Sequence, residues 1–200
     1  MYGKIRFIIQ VLLIYFFRKM VYMNNMFPHE HTYFDEEFYK RKYPELITEV
    51  GISRSKLFNH FIKFGVKEGK SAAQAFDVKF YLEENPDLKY IFGKNYYGAF
   101  KHFMKHGKYE KRNLSPVLHL TYYIENNPDL EEKYGDNVDA ILAQFMREGM
   151  AEGRPSSPIF DYKAYRERYT DLRTVFGNNI KEYYTHFCTH GYAEKRLALK

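Results

Sequence analysis

Apolar and polar positions along this chain recur with a period of 42 residues, from residue 34 to the end. Inside each period, apolar residues at positions i, i+1, i+4 and i+5 form a stripe along one side of a helix with 3.6 residues per turn. In the second copy the stripe is carried by Ala99, Phe100, Phe103 and Met104. No segment shows sustained alternation of apolar and polar residues. The pattern therefore predicts an all-α protein with almost no β structure.

The 42-residue register also predicts the organisation of the chain. Four units are expected at residues 34–75, 76–117, 118–159 and 160–200, each a pair or triplet of short helices. One such unit cannot bury its apolar face alone, so stacked neighbours are expected to share a core in a tandem, α-solenoid-like array. Residues 1–33 lie outside the register and are predicted to form an apolar helix and a linker.

Helix start and stop signals recur at fixed places in each copy. In the second copy Asp77 is a favoured helix N-cap. The Asn85–Leu88 sequence, Asn-Pro-Asp-Leu, is expected to start the second helix, with the asparagine as its cap and proline at the first helical position. Gly93 is expected to end that helix, and Gly107 is expected to end the third helix in a left-handed conformation.

The N-terminal segment contains an apolar run, Phe7–Phe17, with basic residues on both sides. As a helix the run is about 16 Å long, roughly half of a bilayer core. Extension to residues 5–23 reaches spanning length. Three interpretations stay open: a signal peptide without a small-residue cleavage site, an uncleaved anchor or interfacial helix, and a helix that packs on the first repeat.

Charge is uneven along the chain. The net charge is +6, yet residues 118–159 contain three basic and eight acidic side chains, a net charge of −5 between basic neighbours. A continuous phosphate-binding stripe would not be interrupted in this way, so the pattern argues against a nucleic-acid partner. Cys188 is the single cysteine and excludes an internal disulfide.

The repeat pattern F-D-x3-Y-x3-N-P-D-L, followed by H-F-x3-G-x2-E-[GK]-R, covers residues 34–196. It resembles short helical repeats of bacterial surface and secreted proteins, which also occur beside glycosyltransferase domains of surface-polysaccharide synthesis. The resemblance implies an accessory or interaction module with no catalytic residues to transfer. Residues 1–33 are too few for a glycosyltransferase catalytic domain.

The remaining candidates for chemistry are histidines and tyrosines. His102 with His106, and His186 with His190, are i,i+4 pairs that share one helix face, a spacing that can bind a metal. The recurrence of the inner histidine favours a structural role, and we predict no metal, cofactor or catalytic residue. Tyr doublets are expected to expose one ring each. The candidate interaction surface is Tyr97, Tyr122, Tyr183, His102, His106, His186 and His190.

These features predict a non-enzymatic structural or protein-interaction repeat protein, because nothing assembles a nucleophile, a base and an orienting group. The expected partner is another protein or a second copy of the chain. The alternatives are a carbohydrate-binding or accessory module for surface-glycan synthesis, and an envelope or particle component anchored in a membrane through residues 5–23. The N-terminal run favours a membrane-associated, cell-surface or secreted location over a cytoplasmic one.

Overall fold

The computed structural model describes residues 33–49 and 53–200, and these residues are mostly helical. The all-α prediction is therefore confirmed. The apolar helix predicted around Phe7–Phe17 lies outside the described residues.

Three helices recur in each 42-residue copy. The first helices are Glu36–Lys42, Val78–Glu83, Leu120–Glu125 and Tyr162–Arg168. The second helices are Glu45–Glu49, Pro86–Phe92, Asp129–Tyr134 and Thr170–Phe176. The third helices are Arg54–His60, Tyr96–His102, Val138–Gln144 and Ile180–His186. Each third helix continues as a π-helix, at Phe61–Gly65, Phe103–Gly107, Phe145–Gly149 and Phe187–Gly191. A short helix, Met150–Glu152, follows the third π-helix.

Short antiparallel pairings join successive copies. Strand β1, Asn113–Ser115, pairs with strand β2, Leu118–His119, at the second junction. Isolated bridges link Ala73 to Phe76 at the first junction and Ser157 to Phe160 at the third. The expectation of almost no β structure holds for the described residues, since these pairings are only a few residues long.

The first helix of each copy begins as predicted wherever aspartate precedes it. The Asp77 carboxylate accepts from the backbone nitrogens of Lys79 and Phe80 at 2.9 and 3.1 Å. Burial alone would raise the pKa of Asp77, but the Lys42 ammonium 3.1 Å away and these hydrogen bonds hold it below its usual value. Phe80 and Tyr81 are buried, so the first helix packs its apolar face inward.

The Asn-Pro-Asp-Leu sequence starts the second helix at Pro86, but its asparagine does not cap that helix. The Asn85 side-chain nitrogen donates to the Tyr81 carbonyl at 2.7 Å, and its oxygen accepts from Arg112 at 2.9 Å. The capping prediction is therefore wrong at this position. Asn85 is 8% exposed, and a buried amide needs partners on both of its ends. It links the end of the first helix to the closing turn of the copy.

The left-handed cap predicted at Gly107 and its counterparts is also wrong. None of these glycines has a positive φ, whereas Gly93 does, at 53°. A side chain at Gly107 would overlap the Tyr81 hydroxyl, which lies directly against the glycine backbone. Glycine is therefore required at this position by the close approach of the tyrosine and not by backbone conformation.

The recurring glutamate near the end of each copy belongs to an ion cluster within that copy. The Arg112 Nε bonds to Glu110, and its terminal nitrogens bond to the Asp87 carboxylate at 3.0 and 2.8 Å. The hydrogen bond from Arg112 lowers the pKa of Asp87. The same cluster joins Arg154 to Asp129 and Glu152, and Arg196 to Asp171 and Glu194. Because these pairs are exposed and screened by solvent, each contributes little to the stability of the fold.

Side chains of the first and last copies are in direct contact. The Lys181 ammonium lies 3.0 Å from the Asp35 carboxylate. The Gln74 Nε2 donates to the Thr185 Oγ1 at 2.9 Å, and this bond is buried. In a solenoid each unit contacts only its neighbours. The solenoid-like part of the prediction is therefore wrong, because a sequence period does not record which copies meet.

His119 stands where the other copies have an N-cap aspartate. Its side chain makes no capping bond, and its ring is 6% exposed and packs edge-on against Phe80 at 5.6 Å. The Nε2 atom has no hydrogen-bond partner among the described residues. Burial lowers the pKa of this imidazole to about 4.

We expect the free energy of unfolding to fall between pH 6.5 and pH 4 through His119. The unfolded imidazole has a pKa of about 6.5, so in this range the unfolded state binds a proton that the folded state excludes. The stabilising contribution is complete above pH 6.5 and is lost on acidification. Urea titrations across this range should give a flatter profile for His119→Asn. His106→Asn, at an exposed position, is the control, and an equal slope in both variants would contradict the assignment.

Candidate functional site

The inner histidine of each predicted pair is bonded to a buried tyrosine. The His102 Nδ1 lies 3.0 Å from the Tyr81 hydroxyl, and the His186 Nδ1 lies 2.9 Å from the Tyr165 hydroxyl. Burial lowers the pKa of both imidazoles. Because each bond links the first helix of a copy to its third helix, we assign these two histidines a positioning role within the fold.

The outer histidines, His106 and His190, are exposed. Their ring centroids lie 5.6 and 5.3 Å from those of His102 and His186. Within residues 33–49 and 53–200, no group of three His, Cys, Asp or Glu side chains is arranged to hold a metal ion. Each pair therefore offers two imidazoles without a third ligand from the described part of the chain.

Of the three tyrosines predicted to face outward, one is buried. Tyr183 is 0% exposed and donates to the Gly177 carbonyl at 2.9 Å, and its neighbour Tyr184 is 2% exposed. The prediction of a surface tyrosine at Tyr183 is wrong, because both rings of this doublet fill the interior. Tyr97 and Tyr122 are half-buried, and Tyr122 lines a cleft.

This cleft lies at the junction of the third and fourth copies and has a volume of about 300 Å³. We call it the tyrosine cleft and define it by Tyr122, Tyr162, Tyr184, Asp161 and Lys163. The rings of Tyr162 and Tyr184 are nearly parallel, 28° apart, with centroids separated by 6.3 Å. The Tyr184 ring is 2% exposed and packs behind Tyr162, so the half-buried Tyr162 ring provides the accessible flat apolar surface of this pair.

The three tyrosines are specific to this junction. Their counterparts are Phe38, Val78 and Phe100 at the first junction, and Phe80, Leu120 and Leu142 at the second. All six counterparts are buried, between 0% and 3% exposed. The same backbone framework thus carries only hydrocarbon side chains at two junctions and phenol groups at the third.

Asp161 differs from its counterpart in the second copy. The Asp77 carboxylate is paired with Lys42, whereas Asp161 accepts from the Lys163 backbone nitrogen at 2.8 Å through one oxygen. The other Asp161 oxygen has no hydrogen-bond or ion-pair partner within the part of the chain that the structure describes. That oxygen is available to accept a hydrogen bond from a ligand in the tyrosine cleft.

A second concave surface, of about 660 Å³, lies near residue 200. We call it the basic groove, and its lining includes Arg168, Tyr192, Lys195, Leu197, Leu199 and Lys200. Tyr192 is 37% exposed and Leu199 is 44% exposed. Their counterparts in the other copies are all buried, namely Val66, Lys108, Met150, Ala73, Ser115 and Ser157. Large apolar side chains thus lie exposed at positions that are covered elsewhere in the fold.

Comparisons with known proteins identify no relative. No protein-family model matches the chain, and neither the curated proteins nor the solved structures contain a significant match. The resemblance to bacterial helical repeats stays a hypothesis that depends on the sequence motif. Among the described residues no helix has the length and apolar character needed to span a membrane. Membrane contact through residues 5–23, which lie outside the described ranges, also stays a prediction.

Sequence reasoning found Tyr122 but missed Tyr162, Tyr184 and Asp161 as its neighbours. It also missed Leu199. Alignment of the four copies does contain a signal for this site. Three aligned positions carry hydrocarbon side chains at the first two junctions, and all three carry tyrosine at the third. The sequence could not show that these positions, up to 62 residues apart, line a single cleft.

Proposed function

We propose that the chain is a non-enzymatic structural protein of four 42-residue helical repeats that assembles with a second copy through the basic groove. The observation that carries the proposal is the exposure of Tyr192 and Leu199 at positions that the other copies bury. Exposed apolar side chains grouped on one surface are typical of a protein interface. His102 and Arg112 recur at fixed positions of the repeat, and their polar atoms bond to side chains of the same copy. These bonds support a structural role for the two residues and therefore a non-enzymatic protein.

Charge complementarity favours a second copy as the partner. The basic groove contributes the cations of Arg168, Lys195 and Lys200 against a single carboxylate side chain, Glu84, so its lining is positive overall. The third copy has a net charge of −5, and its exposed carboxylates include Glu125, Glu131, Glu132 and Asp136. Complementary charges steer association and fix the relative orientation of two surfaces. Two different surfaces of one chain then meet, which is a head-to-tail contact that can continue into longer assemblies.

We expect sedimentation velocity of the full chain to show concentration-dependent association that weakens with added salt, since salt screens exposed charges. The double variant Tyr192→Thr/Leu199→Ser removes both exposed apolar side chains without adding a charge to the groove, and Ser115 occupies the position of Leu199 in the second copy. It should weaken association at least about tenfold, the equivalent of about 1.4 kcal/mol.

Val175→Ser is the matched control, because Val175 is 75% exposed and does not line the groove. This variant should associate as the wild-type chain does. A wild-type chain that remains monomeric across the concentration range would overturn the proposal, as would equal association of the double variant and the control.

A further inference from the structure

We propose that the tyrosine cleft binds a neutral sugar unit of hexose size. The proposal goes beyond assembly through the basic groove and is argued from other residues, with Leu199 as the one side chain that lines both surfaces. It rests on three features of the junction between the third and fourth copies: the tyrosines that replace hydrocarbon side chains, the unpaired oxygen of Asp161, and the volume of the cleft.

Tyr122 and Tyr162, which are half-buried, give the cleft both of the surfaces that a pyranose ring requires, whereas the Tyr184 ring is only 2% exposed. Tyrosine combines a flat apolar face with a polar hydroxyl, and a sugar combines an apolar C–H face with hydroxyl groups at its edge. The Tyr184 hydroxyl is already used, since it donates to the Arg154 carbonyl at 2.9 Å. Neither the Tyr122 nor the Tyr162 hydroxyl has a hydrogen-bond partner among the described residues. These two hydroxyls remain available to a ligand.

The position of the Tyr162 ring is set by the backbone beside it. Gly153 has a φ of 67°, and a side chain at this glycine would overlap the Tyr162 ring. The counterparts of Gly153 in the second and fourth copies, Lys111 and Lys195, adopt the same left-handed conformation with a side chain present. Glycine in the third copy thus gives the ring room against the backbone. A ring held in this way loses little freedom when a ligand binds.

The charges around the cleft favour a neutral ligand. Asp161 contributes one carboxylate, and Lys163 contributes one ammonium group. The Arg154 guanidinium also lines the cleft, but its nitrogens are bonded to Asp129 and Glu152 and are not free to bind an anion. With one charge of each sign beside the bound group, neither an anion nor a cation is favoured overall. A polyhydroxyl ligand can donate to Asp161 and accept from Lys163 without a net charge of its own.

The volume of the cleft limits the size of the ligand. At about 300 Å³ it lies at the lower end of ligand pockets, which range from roughly 300 to 1,000 Å³. One sugar ring fits this space, and the rest of a longer glycan would extend into solvent. The proposal therefore concerns a single recognised unit, either free or at the end of a chain.

Saturation-transfer NMR on the full chain tests the proposal with neutral hexoses, neutral N-acetylhexosamines, glucuronic acid and tetramethylammonium as probes. At least one neutral sugar should receive saturation, with affinity then measured by titration. Asp161→Asn should weaken binding at least tenfold, while Asn preserves a helix cap of similar strength. Tyr162→Val, which introduces the residue found at position 78, should abolish the signal.

Tyr90→Val is the control, because Tyr90 is 93% exposed and lies outside the cleft. Circular dichroism of each variant verifies that it is folded. The proposal is overturned if no neutral sugar binds, or if tetramethylammonium or glucuronic acid binds in preference. It is also overturned if folded Asp161→Asn and Tyr162→Val bind neutral sugars as the wild type does.

Discussion

Replacement of Gly107 with alanine is expected to destabilise the protein by about 4 kcal/mol. The added Cβ would overlap the Tyr81 hydroxyl, so the ring must move out of a packed interior, a change that costs about 1–3 kcal/mol. Movement of the ring would also break the bond between Tyr81 and His102, and a buried polar group left without a partner costs about 1–3 kcal/mol more. Urea unfolding followed by circular dichroism measures the change.

A second substitution shows whether the tyrosine hydroxyl is the cause. Tyr81→Phe in the Gly107→Ala background removes the atom that the new Cβ would overlap and should recover part of the lost stability. Lys105→Ala changes an exposed residue of the same π-helix and should stay within about 0.5 kcal/mol of wild type. Equal effects of Gly107→Ala and Lys105→Ala would contradict the close-approach explanation.

Replacement of Asp139 with alanine is expected to destabilise the protein by about 3 kcal/mol, because it leaves a buried cation unpaired. The Lys108 ammonium lies 2.6 and 2.8 Å from the two Asp139 oxygens, and Lys108 is 4% exposed. The Tyr33 hydroxyl donates to the same carboxylate at 2.7 Å, and burial raises the pKa of Tyr33, which keeps the phenol a donor. Asp139 thus connects the second copy to the third and also holds Tyr33.

The counterparts of Lys108 provide the rescue experiment. Val66 and Met150 occupy this position in the first and third copies, so Lys108→Met introduces a side chain that the repeat already accommodates. Lys108→Met combined with Asp139→Ala should be more stable than Asp139→Ala alone. Glu182→Ala is the control, since its partner Arg41 is largely exposed and such pairs contribute about 0–1 kcal/mol. An equally unstable double variant would show that the unpaired charge is not the cause.

The local structure of each copy was largely predictable from sequence, because its signals act over a few residues. Asp77 caps the first helix, Pro86 starts the second and Gly93 ends it, as expected from their short-range preferences. The failures occur where a local signal competes with a distant partner. Asn85 bonds to Arg112 in place of capping a helix, and Gly107 accommodates Tyr81 in place of turning the backbone.

The candidate site was harder to predict for the same reason. The doublet pattern predicts outward rings at both Tyr122 and Tyr183, but Tyr183 is buried. A doublet exposes a ring only when its helix has a solvent face, and the helix Ile180–His186 buries both rings of its doublet. Which tyrosines meet at a cleft depends on the packing of one copy against the next.

By itself, the sequence determined the helical class, the 42-residue period and the helix boundaries near Asp77, Pro86 and Gly93, because hydrophobic periodicity and backbone preferences are properties of short segments. Only the tertiary structure decided that the first and last copies touch, that Gly107 packs against a tyrosine, and that Asp161 shares a cleft with three tyrosine rings. Those contacts join residues far apart in the chain, and their geometry is set by the packing of whole helices, which a one-dimensional pattern does not contain.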